Sequence, residues 1–425
     1  MPQFQAPPGT FDVLPPASAR YQALVARFAA HVEGAGYGLV MTPMFEDVGV
    51  FERVGEATDV VSKEMYDFRD KGDRHLALRP EGTASVVRAF VQHHPLTPWK
   101  AWYMAPNFRQ DRPQKGRYRQ HHQVGVEAIG TDDPDLDAEV VALAWRFYAT
   151  LGLTGVELRL NSMGDEQCMP AYRRILVEHL AAKAGAGGLC DEHRPVDRYS
   201  RNPLRVLDCK KEPCREATVD APGTADYLCP RCMSHFGRVR AGLDSLGVAY
   251  TLDFRLVRGF DYYTRTAFEF VPTRPDATQN AIGGGGRYDG LAEALGGASA
   301  PGIGFGLGIE RILIACDAEG VFPAPTHSPE LGVFVIDTTG GEAARDLSFD
   351  LRAAGIAADR AFDNRSWKAQ MKQAQRSGAR LALVVEPDGV TIRTLQEKGE
   401  AEATDREHAV ERVRSRLAAP QPAAR

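Results

Sequence analysis

The sequence predicts an α+β protein of more than one domain: a body of helices and antiparallel strands, interrupted by an inserted, mainly helical module and followed by a small α/β domain. Three observations carry this. Two extended runs, AWYMAPNFR and YRQHHQVGVEAIG, flank the polar loop DRPQKGR and read as a long antiparallel hairpin with a basic tip. Between about Leu189 and Arg240 the composition turns to Cys, Pro, Arg and Asp, the mark of an insertion. Beyond VFPAPTHSPE, a linker with three prolines, strand and helix patterns alternate, as in a small α/β domain.

The elements follow in order. Ser18 caps a helix with apolar residues at Tyr21, Leu24, Val25, Phe28 and Val32, and Gly34 or Gly36 ends it. LVMTPMFE is extended, and Pro43, which cannot donate to a ladder, marks it as an edge or interface strand. After the hairpin come a helix over 135–151, the strand VELRLNS, and a helix over 165–180 with Pro170 in its first turn. YTLDFRLVRGFDYYTRTAFEFV alternates as a second hairpin, and IGGGGRYDG leads into GIGFGLGIERILIAC, a strand passing into a helix. In the last domain LGVFVID and RLALVV are strands. The helix over 365–377 sets Arg365, Lys368, Lys372 and Arg376 on one face and Trp367, Met371 and Ala374 on another. The tail AAPQPAAR is expected to be disordered.

Composition narrows the class. The chain is 44% hydrophobic and 25% charged, an ordinary globular balance, and its net charge of −5 means that any RNA contact must rest on local basic patches. The N-terminus lacks a secretory pattern, no apolar run approaches membrane-helix length, and seven cysteines point to reduced thiols; the expected location is the cytoplasm.

Several constellations can carry chemistry. Arg109, Arg112, Lys115, Arg117 and Arg119 crowd into eleven residues, with only Asp111 opposing them. Either guanidinium forks here bind phosphate, with Arg109 pointing into a cleft and Arg112, Lys115 and Arg117 at the tip, or the loop is a solvated turn. Arg258, in LVRGFDYYTR, either clamps the same phosphate from a second side or pairs with Asp261. The four glycines of IGGGG let backbone approach a flat ligand, but they form neither a Walker loop nor a dinucleotide fingerprint. Glu81 and Thr83 share one side of a turn, Gln123 and Glu127 lie four apart on one strand face, and Tyr262 and Tyr263 follow Arg258; carboxylates and phenols suit an ammonium and an imidazole.

LRPEGTA, NFRQDRPQKGRYRQHHQ, LVRGFDYYTR, GGGRYDGL and GFGLGIER stand in this order along nearly the whole chain. Together they resemble the class II aminoacyl-tRNA synthetases, and within them the histidine-specific family. RPQKGRYRQ is similar to that family's motif 2 loop, Pro43 to its motif 1 proline and Arg311 to its motif 3 arginine. The resemblance implies an antiparallel sheet with flanking helices, a homodimer, and a C-terminal anticodon-binding domain. It implies ATP-dependent activation of L-histidine, with Mg²⁺, and transfer to tRNA(His). Arg109 and Arg258 would hold the α-phosphate, and Asp111, Arg117 and Arg311 would complete the ATP site. Glu81, Gly82, Thr83 and Gln123 would receive the α-ammonium, and Glu127, Tyr262 and Tyr263 the imidazole. Arg112, Gln114 and Lys115 would face the tRNA acceptor end, and Arg365 and Lys368 the anticodon. Asp111 departs from the family's usual Glu and is one methylene shorter; tolerance is the expectation. Regulatory paralogues in histidine biosynthesis share the core but typically lack the last domain and the full set Arg109, Arg258 and Arg311.

The implied boundaries are a catalytic core over 1–165 and 247–322, an insertion over 166–246, a linker over 323–330, an anticodon-binding domain over 331–418 and a tail over 419–425. Within the insertion, Cys190-x2-His193 and Cys229-x2-Cys232 are the pairs that would close a tetrahedral zinc site, with Cys209 and Cys214 nearby. Against this, the module is large enough to fold around its own apolar residues, and zinc is not a general property of the family. The expectation is a module without metal.

Overall fold

The computed structural model describes residues 4–55, 58–257, 262–274, 281–325, 331–337, 339–363, 365–395 and 401–418. They divide into two compact units: Met1–Val13 with Arg20–Pro323, and Leu14–Ala19 with Ala324–Arg425.

The first unit contains strands β1 (Gly38–Leu39), β2 (Phe45–Asp47), β3 (Tyr66–Arg69), β4 (His75–Leu78), β5 (Trp99–Phe108), β6 (Gln120–Ile129), β7 (Val156–Ser162), β8 (Thr251–Leu252), β9 (Thr264–Pro272), β10 (Gly283–Arg287) and β11 (Gly302–Gly308). Eight of them form one sheet in the order β1-β5-β6-β11-β10-β9-β7-β8, and β2, β4 and β3 form a small separate sheet. The central pairings are antiparallel, with parallel pairs only at the two edges, β1 with β5 and β7 with β8. The basic-tipped hairpin is β5 and β6, in register from Trp99 opposite Ile129 to Phe108 opposite Gln120.

One face of this sheet is apolar. Val124, Val126, Phe268, Phe270, Ile303, Phe305 and Leu307 are all buried and pack with Phe28, Phe147 and Tyr148 from the helices Ala17–Glu33 and Pro134–Thr150. The alternation in GIGFGLG explains this: Ile303, Phe305 and Leu307 face the helices, while Gly302, Gly304, Gly306 and Gly308 face the other way. The interior also holds an ion pair, Arg287 with Asp137, both fully buried and further tied to Thr266 and Asp289.

Two expectations are corrected here. The segment 250–271 is not a hairpin: β8 and β9 lie on opposite sides of β7, because alternation reports a strand's faces and not its neighbour. Pro43 falls between β1 and β2 rather than within a strand, where its carbonyl accepts from Arg79 Nη1 at 3.3 Å.

The insertion packs short helices around Tyr172, Leu176, Leu180, Val206 and Leu207. Its first helix begins at Met169, with Pro170 in the opening turn, where its missing N–H costs nothing.

In the second unit β12 (Val333–Asp337), β13 (Ala358–Arg360), β14 (Leu381–Glu386), β15 (Gly389–Thr394) and β16 (Glu402–Thr404) form a mixed sheet in the order β13-β12-β14-β15-β16. Arg365 and Lys368 are exposed; Arg365 precedes Ser366, the N-cap, so the helix begins at Trp367, two residues later than its periodicity predicts. Trp367 does not pack on the core: it is 44% exposed, because the inward line of the helix Trp367–Arg376 runs through buried Gln370 and Ala374.

Candidate active site

Residues paired directly across an antiparallel sheet face the same side, so the register defines the second sheet face. One row runs Tyr103, Gly125, Gly306, Gly284 and Glu269; the next runs Ala101, Glu127, Gly304, Gly286 and Ala267. A third sets Ala105 beside Gln123 and Gly308. The face is a floor of glycine walled by polar side chains. The floor is stereochemically required at Gly304, where a Cβ would overlap Glu127 Oε2.

Glu127 is the centre of the wall. It is fully buried and accepts hydrogen bonds from Thr83 Oγ1 at 2.7 Å, Tyr288 OH at 2.5 Å and Tyr103 OH at 3.3 Å. Burial pushes its carboxyl up to about 8, against the opposing pull of those hydroxyls. Thr83 opens the helix Thr83–His93, and Glu81 caps it by accepting from the Thr83 and Ala84 amides at 2.5 and 2.7 Å. Gly82 precedes the helix where a Cβ would come 2.5 Å from the Tyr103 ring. Tyr263 lies over Gly286, its ring tilted 43° to that of Tyr262 with centroids 4.6 Å apart, and Tyr262 meets Tyr288 edge-on.

At the other end of the glycine floor a cavity of about 440 Å³ is lined by Arg109, Asp111, Arg117, Gln123, Glu269 and Arg311. Arg109 sits where β5 runs into the tip, its Nε donating to Pro80 O at 2.9 Å. Arg311, in the first turn after β11, donates to Gly116 O at 2.7 Å and Ala281 O at 2.9 Å, which ties the tip to the sheet. Gln123 accepts from Asn107 Nδ2 at 2.7 Å. His121 also lines the cavity, and burial, with Arg109 and Arg311 nearby, holds its imidazole well below the usual range and so neutral. The region is thus a buried carboxyl ringed by hydroxyls, adjoining a cationic cleft across the glycines. It can hold a small amphoteric molecule at one end and phosphates at the other.

A family model described as Histidyl-tRNA synthetase matches residues 9–312, and one described as Anticodon binding domain matches 331–416. The chain belongs to the histidyl-tRNA synthetase family. It is 50% identical over 388 residues to a histidine–tRNA ligase of Desulforudis audaxviator, with 90% of each chain covered. It is 46% identical over 423 residues to one of Rhodococcus erythropolis, covering 96% of this chain and 97% of that protein. Among solved structures, apo histidyl-tRNA synthetase of S. aureus superposes with a TM-score of 0.79 at 35% identity, covering 97% of this chain and all of that one.

Of the residues that the histidyl-tRNA synthetase motifs single out, the structure brings Glu81, Gly82, Thr83, Glu127, Tyr262 and Tyr263 into one cluster, and Arg109, Asp111, Arg117, Gln123 and Arg311 around the adjoining cleft. Arg258 lies outside the described residues. Arg112, Gln114 and Lys115 are exposed on the tip. Arg117 does not project with them: it folds back onto Asp111 and lies 3.7 Å from Glu64, because the carboxylates at the base of the loop attract it. The zinc grouping is also corrected. Cys190 and His193 converge with Cys209 and Cys214, whereas Cys229 and Cys232 converge with Asp165 and Cys168. Sequence reasoning missed Tyr103, Tyr288 and Glu269. Tyr288 stands inside GGGRYDGL, where its place beside four glycines was a usable signal; nothing local distinguishes Tyr103 or Glu269.

Proposed function

We propose that this chain activates L-histidine with ATP on the glycine-floored face and passes the histidyl group to the 3′ end of tRNA(His). Membership of the family carries the ligase activity, and the buried, hydroxyl-ringed Glu127 beside the cationic cleft is the observation that best supports these roles for the site. Glu127 and Tyr263 hydrogen-bond the two imidazole nitrogens, with Tyr262 backing them. Glu81, Gly82, Thr83 and Gln123 take the α-ammonium end. A site whose polar groups are left unpaired by any other side chain rejects analogues by about 10⁴ to 10⁵, without editing.

Arg109, with Arg258 of the family motif, holds the α-phosphate. The histidine carboxylate, ionised near neutral pH, attacks the α-phosphorus and pyrophosphate departs, so no general base is required for this step. Positioning and charge stabilisation supply the rate. Asp111 orients Arg117, and Arg117 and Arg311 take the outgoing phosphates. Glu269, lining the cleft, is the carboxylate suited to the Mg²⁺ that accompanies ATP.

Arg112, Gln114 and Lys115 at the exposed tip meet the acceptor end of the tRNA, and Arg365 and Lys368 the anticodon phosphates. The chain works as a homodimer, for which the exposed Leu39, Met41, Met44 and Phe45 at and beside the edge strand β1 are suited. No described helix is long and apolar enough to cross a membrane, and we assign the chain to the cytoplasm.

The test is amino-acid-dependent exchange of pyrophosphate into ATP, run in parallel with all twenty amino acids. Exchange with histidine alone is expected, falling by about 10² to 10³ in Arg109→Ala. Exchange with another amino acid, or an unchanged Arg109→Ala rate, overturns the assignment.

A further inference from the structure

The insertion holds a cluster that the adenylation chemistry does not use. Cys190 and His193 lie in the turn after the helix Met169–Gly185, Cys209 follows the helix Leu204–Leu207, and Cys214 lies within the helix Glu212–Ala217. Their Sγ and ring nitrogen atoms all lie within 4.8 Å of one another. His193 Nδ1 is 3.4 Å from Cys190 Sγ and 3.6 Å from Cys214 Sγ. A zinc tetrahedron with Zn–S near 2.3 Å and Zn–N near 2.0 to 2.1 Å has S···N edges of about 3.5 to 3.6 Å. The two S···N separations are close to those edges.

Cys190, His193 and Cys214 are buried, and Cys209 closes the group from its half-buried side. The Cys190 amide donates to Cys214 Sγ at 3.3 Å, the kind of outer contact that steadies a metal-bound thiolate. Three sulfurs and an imidazole form a soft donor set that favours zinc over the hard cations. The apolar core that argued for a metal-free module does exist, but Cys190, Cys209 and Cys214 converge at one point of it from separate segments, and apolar packing requires no such convergence.

We propose that Cys190, His193, Cys209 and Cys214 bind one structural zinc ion, closed to solvent ligands and not catalytic. Binding releases the thiol protons, and the three thiolates with the neutral imidazole fill the four positions. The second cluster, Asp165 with Cys168, Cys229 and Cys232, is different. Asp165 already accepts from the Gln167 and Cys168 amides and from Arg231 Nη2 at 2.8 Å, so its carboxylate is satisfied within the protein and a cation there would face Arg231. The zinc fastens the segment between Cys209 and Cys214 to the body of the insertion. That segment and its neighbour carry Lys210 and Asp208 to the cleft lined by Arg109 and Arg311.

The test is elemental analysis of the full chain purified under reducing conditions from zinc-replete cells. About one zinc per chain is expected, lost in Cys190→Ser and Cys214→Ser and retained in Cys229→Ser. Titrating the demetallated wild-type chain with Co²⁺ reads the same site without a variant, through thiolate charge-transfer bands and the visible bands of tetrahedral cobalt. A wild-type chain with no zinc and no such cobalt spectrum overturns the proposal. So does a disulfide among Cys190, Cys209 and Cys214 in the protein as purified, or zinc lost in Cys229→Ser and kept in Cys214→Ser. None of these readouts depends on histidine activation, so failure of the catalytic reading is separately visible.

Discussion

Replacing Glu127 by Gln tests the chemistry of the histidine pocket without touching a phosphate-binding residue. Burial raises the Glu127 carboxyl from its ordinary 4.5 to about 8 in the folded, ligand-free chain. Such a group stabilises the fold fully below the unfolded value. As the pH rises from 4.5 to 8 the unfolded chain gives up the proton while the fold retains it, and stability falls. The slope approaches 1.36 kcal/mol per pH unit, so the loss totals at most about 5 kcal/mol and levels off above pH 8. Glu127→Gln keeps the shape and has no proton to lose; its carbonyl oxygen accepts from one of the Thr83 and Tyr288 hydroxyls, which meet different carboxylate oxygens, and its amide donates to the other. The assay is denaturant unfolding of wild type and variant between pH 5 and 8.5, without histidine. The wild-type curve should fall relative to the variant across that window, and saturating histidine should reduce the difference by giving the carboxylate an N–H donor. Parallel profiles would refute the account of Glu127 as a carboxyl held protonated by its surroundings.

Three further outcomes follow from other contacts. Tyr288→Phe removes one of the hydroxyls on Glu127 and should raise KM for histidine about 10-fold in pyrophosphate exchange, with kcat nearly kept. Asp137→Asn leaves fully buried Arg287 with Asp289 as its remaining carboxylate and should lower the unfolding free energy by about 3 kcal/mol in a denaturant titration. Lys115→Ala, at the exposed tip, should leave exchange unchanged while reducing the slope of log affinity for tRNA against log salt by about 1, measured by filter binding.

Much of this protein is legible along the chain because its signals are local. The alternation in GIGFGLG separates a core face from an open face before any neighbour is known, and the pairing of β5 with β6 follows from two alternating runs joined by a short polar loop. The motif residues are legible too, since LRPEGTA and GGGRYDGL carry their chemistry within a few positions. What tertiary structure alone decided is which distant segments meet. β9 pairs with β10 and β7 rather than with β8, and only that arrangement brings Glu269 into line with the glycines. Tyr103 and Tyr288 meet at one carboxylate although 185 residues of chain separate them (288 less 103). The cysteines divide into two clusters by the packing of short helices, where spacing had joined the Cys190 and Cys229 pairs. The physical reason is common to all three. Periodicity determines which way a side chain points within its own strand or helix, whereas the partner it meets depends on which burial of apolar surface the whole chain can satisfy at once.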